Sequence, residues 1–198
     1  MNLFSGSAEL APIPLEDGQL AFLEQIALSQ SNQAVLQQLI ADTAWRAETI
    51  VVWGKRHLQP RLIAWYGTAS YGYSGVRLDP LPFTALQLEI KEAVQLASGL
   101  QFNSVLLNYY RDQNDSMGFH SDNESELGPD PAIASASFGD PRTFILKHKR
   151  LHRTVKLSLG NGSLLLMAGG IQANWQHGIN KERRFCGPRV NLTFRNIL

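Results

Sequence analysis

Short strand-like segments follow one another from residue 103 onward, and they constrain the fold more than any other feature of the sequence. The apolar residues there lose the helical period, and turn residues separate the segments. The predicted strands read SVLLNYY, PAIASASFG, RTFILKHKR, HRTVKLSLG, SLLLMA, WQHGI and VNLTFRNI. Such an array indicates a rolled sheet, either a barrel or a sandwich. The turn Gly160-Asn161-Gly162 is expected to join two of the strands as a hairpin.

The first half of the sequence carries helical patterns. The segments LEDGQLAFLEQIAL, with Leu20, Leu23 and Ile26 on one stripe, and QAVLQQLIADTAW each predict a helix. A third helix is predicted in TALQLEIKEAVQLASG, with Thr84 as its cap and Gly99 as its stop. Between them, ETIVVWG and PRLIAWYG predict two strands, whereas TASYGYSGVRL is too irregular for a regular element. We therefore expect an α+β fold in which residues 1–50, an arm and helices, pack on a core formed by residues 51–198 as one structural unit.

Composition supports one soluble domain. The 198 residues are 44% apolar and 18% charged, which suffices for one substantial core. There is no apolar run near 18 residues and no basic-then-apolar leader, so we expect an intracellular protein, cytoplasmic in a bacterium or nuclear in a eukaryote. The single cysteine, Cys186, excludes an internal disulfide. We expect no membrane association, and no obligatory protein partner is evident.

Positive charge is concentrated in two stretches. Residues 141–156 contain six basic residues and no acid: Arg142, Lys147, Lys149, Arg150, Arg153 and Lys156. Residues 181–195 contain five more against one acid: Lys181, Arg183, Arg184, Arg189 and Arg195 against Glu182. The excess would suit a surface that follows nucleic acid phosphates, or a solvated hairpin whose lysines protect a sheet edge.

The motif His120-Ser121-Asp122 places an imidazole and a carboxylate two residues apart. On a strand, such residues point to the same face and could hold one edge of a divalent metal, although a solvated turn capped by Asp122 is also possible. A third ligand from a distant strand would complete a two-histidine, one-carboxylate set with open positions. His148 and His152 lie among cations that would oppose a metal, so His177, separated from Asp122 by 54 residues, is the better candidate.

The segment PRVNLTFR places Arg189 and Arg195 on one face of a predicted strand, with Asn191 and Thr193 between them. Two inward guanidinium groups require an anion, either structural carboxylates or a dicarboxylate ligand. Upstream, Asn108 and Tyr110 also share a strand face. A polar set of this kind beside a three-ligand metal would suit a chelating keto acid.

Taken together, NYY, HSD, the single distal histidine and PRVNLTFR resemble the AlkB family of Fe(II)- and 2-oxoglutarate-dependent dioxygenases. The likeness runs from about residue 51 to 198 and is closest to the branch that repairs duplex DNA, which also shows Ala-Ser-X-Ser-Phe-Gly and His-Lys in this order. The resemblance implies a double-stranded β-helix (jelly-roll) core. It also implies oxidative demethylation of bases such as 1-methyladenine and 3-methylcytosine in DNA, with RNA as a further substrate. 2-Oxoglutarate and O2 would be consumed, and succinate, carbon dioxide and formaldehyde released.

Site residues follow from the same resemblance. The catalytic iron ligands would be His120, Asp122 and His177, and Arg189 would pair with the distal carboxylate of 2-oxoglutarate. The matching positions for the other cosubstrate contacts are Asn108, Tyr110, Thr193 and Arg195.

A nucleotide-recognition lid is implied at about residues 51–75. Tyr71 and Tyr73 would contact and stack on a flipped base, with Ser74 beside them, and Trp53 would fill the gap left in the duplex. Asn123 and Glu124 match positions near the substrate. Core packing remains an alternative for the aromatic residues.

Two departures from the duplex branch are visible. Glu182-Arg183-Arg184 replaces an uninterrupted basic triplet, which weakens the inference of a tight grip on duplex DNA, and Trp53 stands where that branch has phenylalanine. The alternatives are a dioxygenase of the same fold that acts on RNA, on a protein side chain or on a small molecule, and a non-catalytic nucleic-acid-binding module.

Overall fold

The structure is a computed structural model that describes residues 9–52, 55–73 and 76–198. Three α-helices lie in these ranges, α1 Asn32–Asp42, α2 Ala85–Ser98 and α3 Ile171–Asn174, together with one short 3-10 helix, Ser125–Leu127. The strands of the first half are β1 Ala11–Ile13, β2 Gln19–Leu23, β3 Arg46–Val52, β4 Lys55–Gly67, β5 Tyr71–Tyr73, β6 Val76–Leu78 and β7 Ser104–Tyr110. The remaining strands are β8 Met117–His120, β9 Ile133–Gly139, β10 Arg142–His148, β11 Thr154–Leu159, β12 Ser163–Ala168, β13 Trp175–Ile179 and β14 Arg189–Arg195.

Two antiparallel sheets form the core of the fold. The larger has eight strands in the order β1-β2-β12-β9-β14-β7-β4-β3, and the smaller has four in the order β11-β10-β13-β8. Strands that are distant in the chain are neighbours in both sheets, as in β14 between β7 and β9. This arrangement agrees with the jelly-roll core implied by the sequence.

Apolar side chains cover both faces of the larger sheet. One cluster joins its outer face to α1 and α2 through residues such as Val35, Ile90, Leu107 and Leu192. A second cluster fills the space between the two sheets. The layers therefore run from helices to larger sheet to smaller sheet, and polar side chains on the inner face of the larger sheet must pair with one another or with a ligand.

Strand β14 shows how the sequence divides between these layers. Val190, Leu192 and Phe194 belong to the cluster under the helices, while the residues that alternate with them face the smaller sheet. The same alternation holds in β7, where Leu107 packs toward the helices and Leu106 toward the smaller sheet. The period of two that the sequence shows in these segments is thus a division between apolar core and polar site.

The helices predicted in the middle of the chain are confirmed. Helix α1 begins after Ser31, whose side chain accepts a hydrogen bond from the Ala34 N–H. Helix α2 begins with a capping box between Thr84 and Gln87 and ends at Gly99, whose φ of 70° is the left-handed conformation that glycine adopts easily. No helix in the described ranges is long and apolar enough to cross a membrane.

The helix predicted in LEDGQLAFLEQIAL is wrong. This segment contains β2, which pairs with β12 on one side and β1 on the other. Leu20 and Leu23 are both buried, but they belong to different clusters on the two faces of the sheet. Apolar residues three apart are expected on a helical stripe and also on a strand that is covered on both sides, so the spacing could not decide between them.

Three further predictions need correction. The turn Gly160-Asn161-Gly162 does not close a hairpin, because β11 pairs with β10 in the smaller sheet and β12 pairs with β9 and β2 in the larger one. The segment TASYGYSGVRL contains the antiparallel pair β5 and β6. The boundary expected near residue 50 does not separate an N-terminal layer from the core, because β1 and β2 are members of the larger sheet.

Candidate metal and cosubstrate site

Three potential metal ligands meet on the smaller sheet. His120 is the last residue of β8, and it lies opposite His177 of β13 in the antiparallel register. The Nε2 atoms of the two histidines each lie 3.9 Å from a different carboxylate oxygen of Asp122. One ligand atom from each of the three residues lies within 4.8 Å of the others. Two imidazoles and one carboxylate on one side of an ion are the ligands of a non-haem Fe(II) site with open positions.

Asp122 reaches this cluster differently from the expectation of a shared strand face. Strand β8 ends at His120, so Asp122 lies beyond it in a segment without regular structure. Its backbone N–H donates to Oε1 of Gln172 at 2.9 Å, and its Oδ1 accepts from Nη2 of Arg195 at 2.8 Å. The other oxygen, Oδ2, is buried and has no hydrogen-bond partner in the described residues. Oδ2 lies 3.9 Å from His177 Nε2, and it is available to coordinate a metal ion.

The electrostatics keep Asp122 ionised. Burial by itself raises the pKa of Asp122, but the adjacent charge of Arg195 and the hydrogen bond from it hold that pKa well below the usual aspartate range. A carboxylate that is fully buried and still ionised can bind a cation without first losing a proton.

The two imidazoles face Asp122 through their Nε2 atoms. Nδ1 of His120 lies 2.9 Å from the Gly118 carbonyl, which can only accept, so Nδ1 carries a proton and Nε2 is the ring nitrogen directed to the cluster. Burial first, and then the proximity of His120, lower the pKa of His177 to about 3, so His177 is neutral near pH 7. Neutral imidazoles are the form in which histidine ligates metals.

The inner face of β14 extends the site away from these ligands. Arg189, Asn191, Thr193 and Arg195 all line one cavity, as the alternation along the strand predicts. The neighbouring strand β7 adds Asn108 and Tyr110, and the metal-ligand candidates lie at one side: His120, Asp122 and His177. The structure therefore brings the predicted metal and cosubstrate residues into a single pocket between the sheets.

Arg189 is a buried cation with no carboxylate partner among the described residues. Its Nη2 donates to Oγ of Ser137 at 2.9 Å, and its guanidinium lies 5.2 Å from the centre of the Tyr110 ring. Nε and Nη1 are buried without hydrogen-bond partners in those residues. Burial lowers the pKa of Arg189 to about 10, which leaves it protonated at neutral pH. A buried charge without its counter-ion costs several kcal/mol, so the fold keeps a site here for an anion.

The other polar residues of the cavity are bonded to one another. Asn191 donates to Oγ of Ser135 and to the Ala136 carbonyl, and its Oδ1 accepts from Oγ1 of Thr193 at 3.0 Å. On β7, Oδ1 of Asn108 accepts from Nε of Arg61 at 2.7 Å. These bonds fix the walls of the cavity in one conformation, as a binding site requires.

Sequence reasoning missed several of these partners. Ser137 could have been found, because it alternates with Ser135 on β9 as polar residues of a strand face do. Gln172 and Arg61 gave no such signal, since each reaches the site from a segment without a recognisable motif. Arg142 was assigned to a basic surface, but it is 1% exposed and donates to the carbonyls of Asp112, Asp115 and Asn180.

The rest of the basic stretch is on the surface. The exposed residues are Lys147, Lys149, Arg150, Arg153 and Lys156, which lie on β10, β11 and the turn between them. Lys149 donates to the carbonyl of Gln172 at 2.8 Å, so the turn contacts the helix that holds Asp122. In the second stretch, Arg189 and Arg195 are buried in the cavity, whereas Lys181, Arg183 and Arg184 are exposed.

The predicted substrate contacts are only partly described. Asn123 is exposed and Glu124 is half-buried directly after Asp122, and Oε2 of Glu124 is buried without a hydrogen-bond partner in the described ranges. Tyr71 and Tyr73 lie on β5, whose backbone is described but not their side chains. Trp53 and Ser74 lie outside the described residues. The assignments of these residues to substrate binding stay predictions.

Comparison with known proteins adds a family and relatives. The family described as "2OG-Fe(II) oxygenase superfamily" matches residues 19–195. The "Alpha-ketoglutarate-dependent dioxygenase alkB homolog 3" of Homo sapiens is 41% identical over 173 residues, which cover 82% of this chain and 60% of that protein. The "DNA oxidative demethylase ALKBH2" of Mus musculus is 43% identical over 159 residues, which cover 75% of this chain and 66% of that protein.

The chain therefore spans about 60% of the length of the first of these relatives. Among solved structures, the one described as "The structure of OsALKBH1" superposes with a TM-score of 0.67 over 94% of this chain and 100% of that chain. Its sequence identity is 16%, so this likeness supports the fold alone.

Proposed function

The chain belongs to the 2OG-Fe(II) oxygenase superfamily, and on this premise we propose that it is an oxidative demethylase of N-alkylated nucleic acid bases. Membership of this family implies Fe(II) as the cofactor and 2-oxoglutarate and O2 as cosubstrates. The observation that carries the proposal is that one cavity contains both a candidate metal site and a buried cation. Oδ2 of Asp122, which has no hydrogen-bond partner in the described residues, lies beside the imidazoles of His120 and His177, and Arg189 lies on the same inner face without a carboxylate partner among those residues.

His120, Asp122 and His177 would hold Fe(II), and the donor set fits that ion. Two neutral nitrogens and one carboxylate oxygen leave coordination positions for a keto acid and for oxygen. When bound, the iron would supply the oxidising chemistry, with 2-oxoglutarate as the co-reductant of O2. The protein's own residues would keep the Asp122 carboxylate ionised, keep the His177 imidazole neutral and exclude water from the cavity.

Arg189 would bind the distal carboxylate of 2-oxoglutarate. Its Nε and Nη1, which have no hydrogen-bond partner in the described residues, can each donate to a carboxylate. Either of them can form a two-pronged contact together with the second hydrogen of Nη2, whose other hydrogen is donated to Ser137. Asn108, Tyr110, Thr193 and Arg195 would contact the rest of the cosubstrate, since all four line the same cavity. With its far end fixed, the keto acid could reach the metal only with its 2-oxo carboxylate end.

The substrate would be an alkylated base such as 1-methyladenine or 3-methylcytosine in DNA, and RNA is a related candidate. One oxygen atom of O2 would enter the N-methyl C–H bond, and the other would enter succinate as 2-oxoglutarate loses carbon dioxide. The resulting hemiaminal would break its C–N bond, releasing formaldehyde and the restored base. The exposed cations of β10 and β11 suit a polyanionic substrate better than a small neutral one.

Substrate selection would involve residues next to the metal and a lid at about residues 51–75. Asn123 and Glu124 follow Asp122 directly, and the buried, unpartnered oxygen of Glu124 could accept a hydrogen bond from an exocyclic amino group. Trp53, Tyr71, Tyr73 and Ser74 would complete the recognition surface for a flipped base. In this proposal residues 51–198 carry the catalytic unit, with residues 1–50 as an integral support.

The test is a reaction screen. Oligonucleotides that carry 1-methyladenine or 3-methylcytosine, each as single-stranded DNA, duplex DNA and RNA, are incubated with Fe(II), 2-oxoglutarate and O2. We expect a product lighter by one methylene, with equal amounts of succinate and formaldehyde. The matched control pair is His177→Ala, which should be inactive, and Gln176→Ala, the exposed neighbour on β13, which should be fully active.

Two results would overturn the proposal. Succinate formed with a methylated peptide or small amine, but with none of the six oligonucleotides, would place the enzyme on another substrate class. Oligonucleotide binding without any succinate, with iron content verified, would show a non-catalytic binding module.

A further inference from the structure

We propose that Gln172 is a positioning residue that orients the Asp122 carboxylate toward the metal. The proposal rests on the metal site of the proposed function and assigns a residue outside the ligand set. Gln172 lies in α3, a helix of only four residues that directly precedes β13 and His177.

The need for such a residue follows from the end of β8. His120 is fixed by pairing with His177 across the sheet, but the strand stops there. Among the described residues, no strand pairs with the backbone of Asp122. In its place, the buried side chain of Gln172, 3% exposed, accepts the Asp122 N–H at 2.9 Å. A side-chain amide thus replaces the hydrogen bond that a sheet would have supplied.

Two anchors then fix the direction of the carboxylate. Gln172 fixes the backbone from which the side chain starts, and Arg195 holds Oδ1 at 2.8 Å. With both ends fixed, the remaining oxygen, Oδ2, is directed to the side where His177 Nε2 lies 3.9 Å away. Without the Gln172 bond, Asp122 could rotate about its link to Arg195 and lose that direction.

The hydrogen-bonding of Gln172 is specific to this task. An amide oxygen is the end of the side chain that can accept from an N–H, so the bond to Asp122 sets the orientation of the amide. Its Nε2 is buried and has no partner within the described residues. Within the described residues, the bond that its oxygen accepts from Asp122 is therefore the hydrogen bond that the Gln172 side chain makes.

Helix α3 is itself held firmly enough to act as an anchor. The Gln172 carbonyl accepts from Nζ of Lys149 at 2.8 Å, which ties the helix to the turn after β10. The residue next to Asp122, Ser121, donates through Oγ to the Trp175 carbonyl at 2.8 Å. Ser121 and Asp122 are thus both hydrogen-bonded to the short segment that consists of α3 and the first residue of β13.

The experiment measures metal affinity rather than turnover. Mn(II), a redox-stable substitute for Fe(II), is titrated into metal-free full-length protein without 2-oxoglutarate, and free Mn(II) is counted by electron paramagnetic resonance. Gln172→Met keeps the length of the side chain and removes the acceptor. We expect the dissociation constant to rise about 10- to 100-fold, the usual effect of losing a residue that orients a metal ligand. The unfolding temperature of the metal-free protein should stay near that of the wild type.

Two matched variants sharpen the result. Gln172→Glu keeps an acceptor oxygen at the same place and should bind Mn(II) more tightly than Gln172→Met. Gln176→Met makes the same chemical change on an exposed residue of β13 and should bind as the wild type does. A Gln172→Glu affinity as weak as that of Gln172→Met would show that the acceptor oxygen is not what matters.

The inference fails if Gln172→Met binds Mn(II) like the wild type. It also fails if that variant lowers the unfolding temperature of the metal-free protein while its affinity is kept, since Gln172 would then be a packing residue. Failure of the proposed metal site looks different, because His177→Ala would then bind Mn(II) as tightly as the wild type.

Discussion

Arg189 and Arg195 lie at opposite ends of β14, on the same face and equally buried at 1% exposure, yet they are used differently. Arg195 donates to Asp122 at 2.8 Å and forms a buried ion pair. Arg189 has Ser137 and the face of Tyr110 as its neighbours, and no carboxylate among the described residues pairs with it. Arg195 is thus paired within the protein, whereas Arg189 is the arginine proposed to pair with a bound anion.

The comparison explains why both charges persist in a core. A buried pair is tolerated when geometry and further hydrogen bonds compensate for desolvation, as they do at Asp122. A guanidinium without a carboxylate partner has no such compensation until an anion binds, and under the proposed function that anion is the dianionic cosubstrate. Removing the charge at the two ends should therefore have opposite effects on the stability of the free protein.

The largest effect is expected from Asp122→Ala. This change removes a metal ligand and leaves Arg195 buried without its partner, so turnover should be undetectable and the free energy of unfolding should fall by about 3 to 5 kcal/mol. Urea unfolding of the metal-free protein measures the second effect separately from the first. Asp122→Asn is the control: it keeps an oxygen for Arg195, and should lose metal binding equally while losing much less stability.

A double-mutant cycle tests whether that loss arises from the pair. Arg195→Met should also destabilise the free protein, because it leaves the Asp122 carboxylate buried alone. The double variant Asp122→Ala, Arg195→Met should then lose less unfolding free energy than the sum of the losses in the two single variants. Strict additivity in urea unfolding would mean that the two groups do not depend on each other, and the contrast between the ends of β14 would be lost.

At the other end, Arg189→Met should leave the free protein as stable as the wild type or about 1 kcal/mol more stable, since it removes an unpaired buried charge. Its affinity for 2-oxoglutarate should fall by about 2 to 5 kcal/mol, the usual loss when a buried charge pair is truncated. Arg189→Lys keeps the charge but not the two-pronged geometry, so its affinity for 2-oxoglutarate should lie between that of the wild type and that of Arg189→Met. Calorimetric titration of 2-oxoglutarate into the metal-loaded protein gives the affinities, and thermal unfolding gives the stabilities. A destabilised Arg189→Met with unchanged affinity would show that Arg189 is structural.

The two ends of β14 also show what the sequence could predict. Alternation in PRVNLTFR predicted the shared inward face, because one covered apolar face and one polar face impose a period of two. It left open whether the anion would be a structural carboxylate or a ligand, and the structure shows the first at Arg195. That outcome depends on Asp122, which is 73 residues away in the chain. No local pattern encodes such a partner.

The same limit explains the other errors. The spacing of His120 and Asp122 predicted their meeting, but through a strand that in fact ends at His120. The bond that holds Asp122 comes from Gln172, which is 50 residues away. Likewise, the segment around β2 could be recognised as a strand only from its pairing with β12, more than a hundred residues later. Patterns within one element were predictable, and contacts between distant elements were not.

The smallest effect in this comparison is expected at Ser137, an uncharged residue whose Oγ accepts a hydrogen bond from Nη2 of Arg189. Ser137→Ala removes a hydrogen bond to the guanidinium, worth about 1 kcal/mol, so the affinity for 2-oxoglutarate should fall about fivefold. Ser135→Ala is the matched control on the same face of β9, because Ser135 bonds to Asn191 and not to Arg189. Its effect on 2-oxoglutarate affinity should be smaller. Equal losses in the two variants, measured by the same calorimetric titration, would mean that the whole wall of the cavity, rather than the orientation of Arg189, sets the affinity.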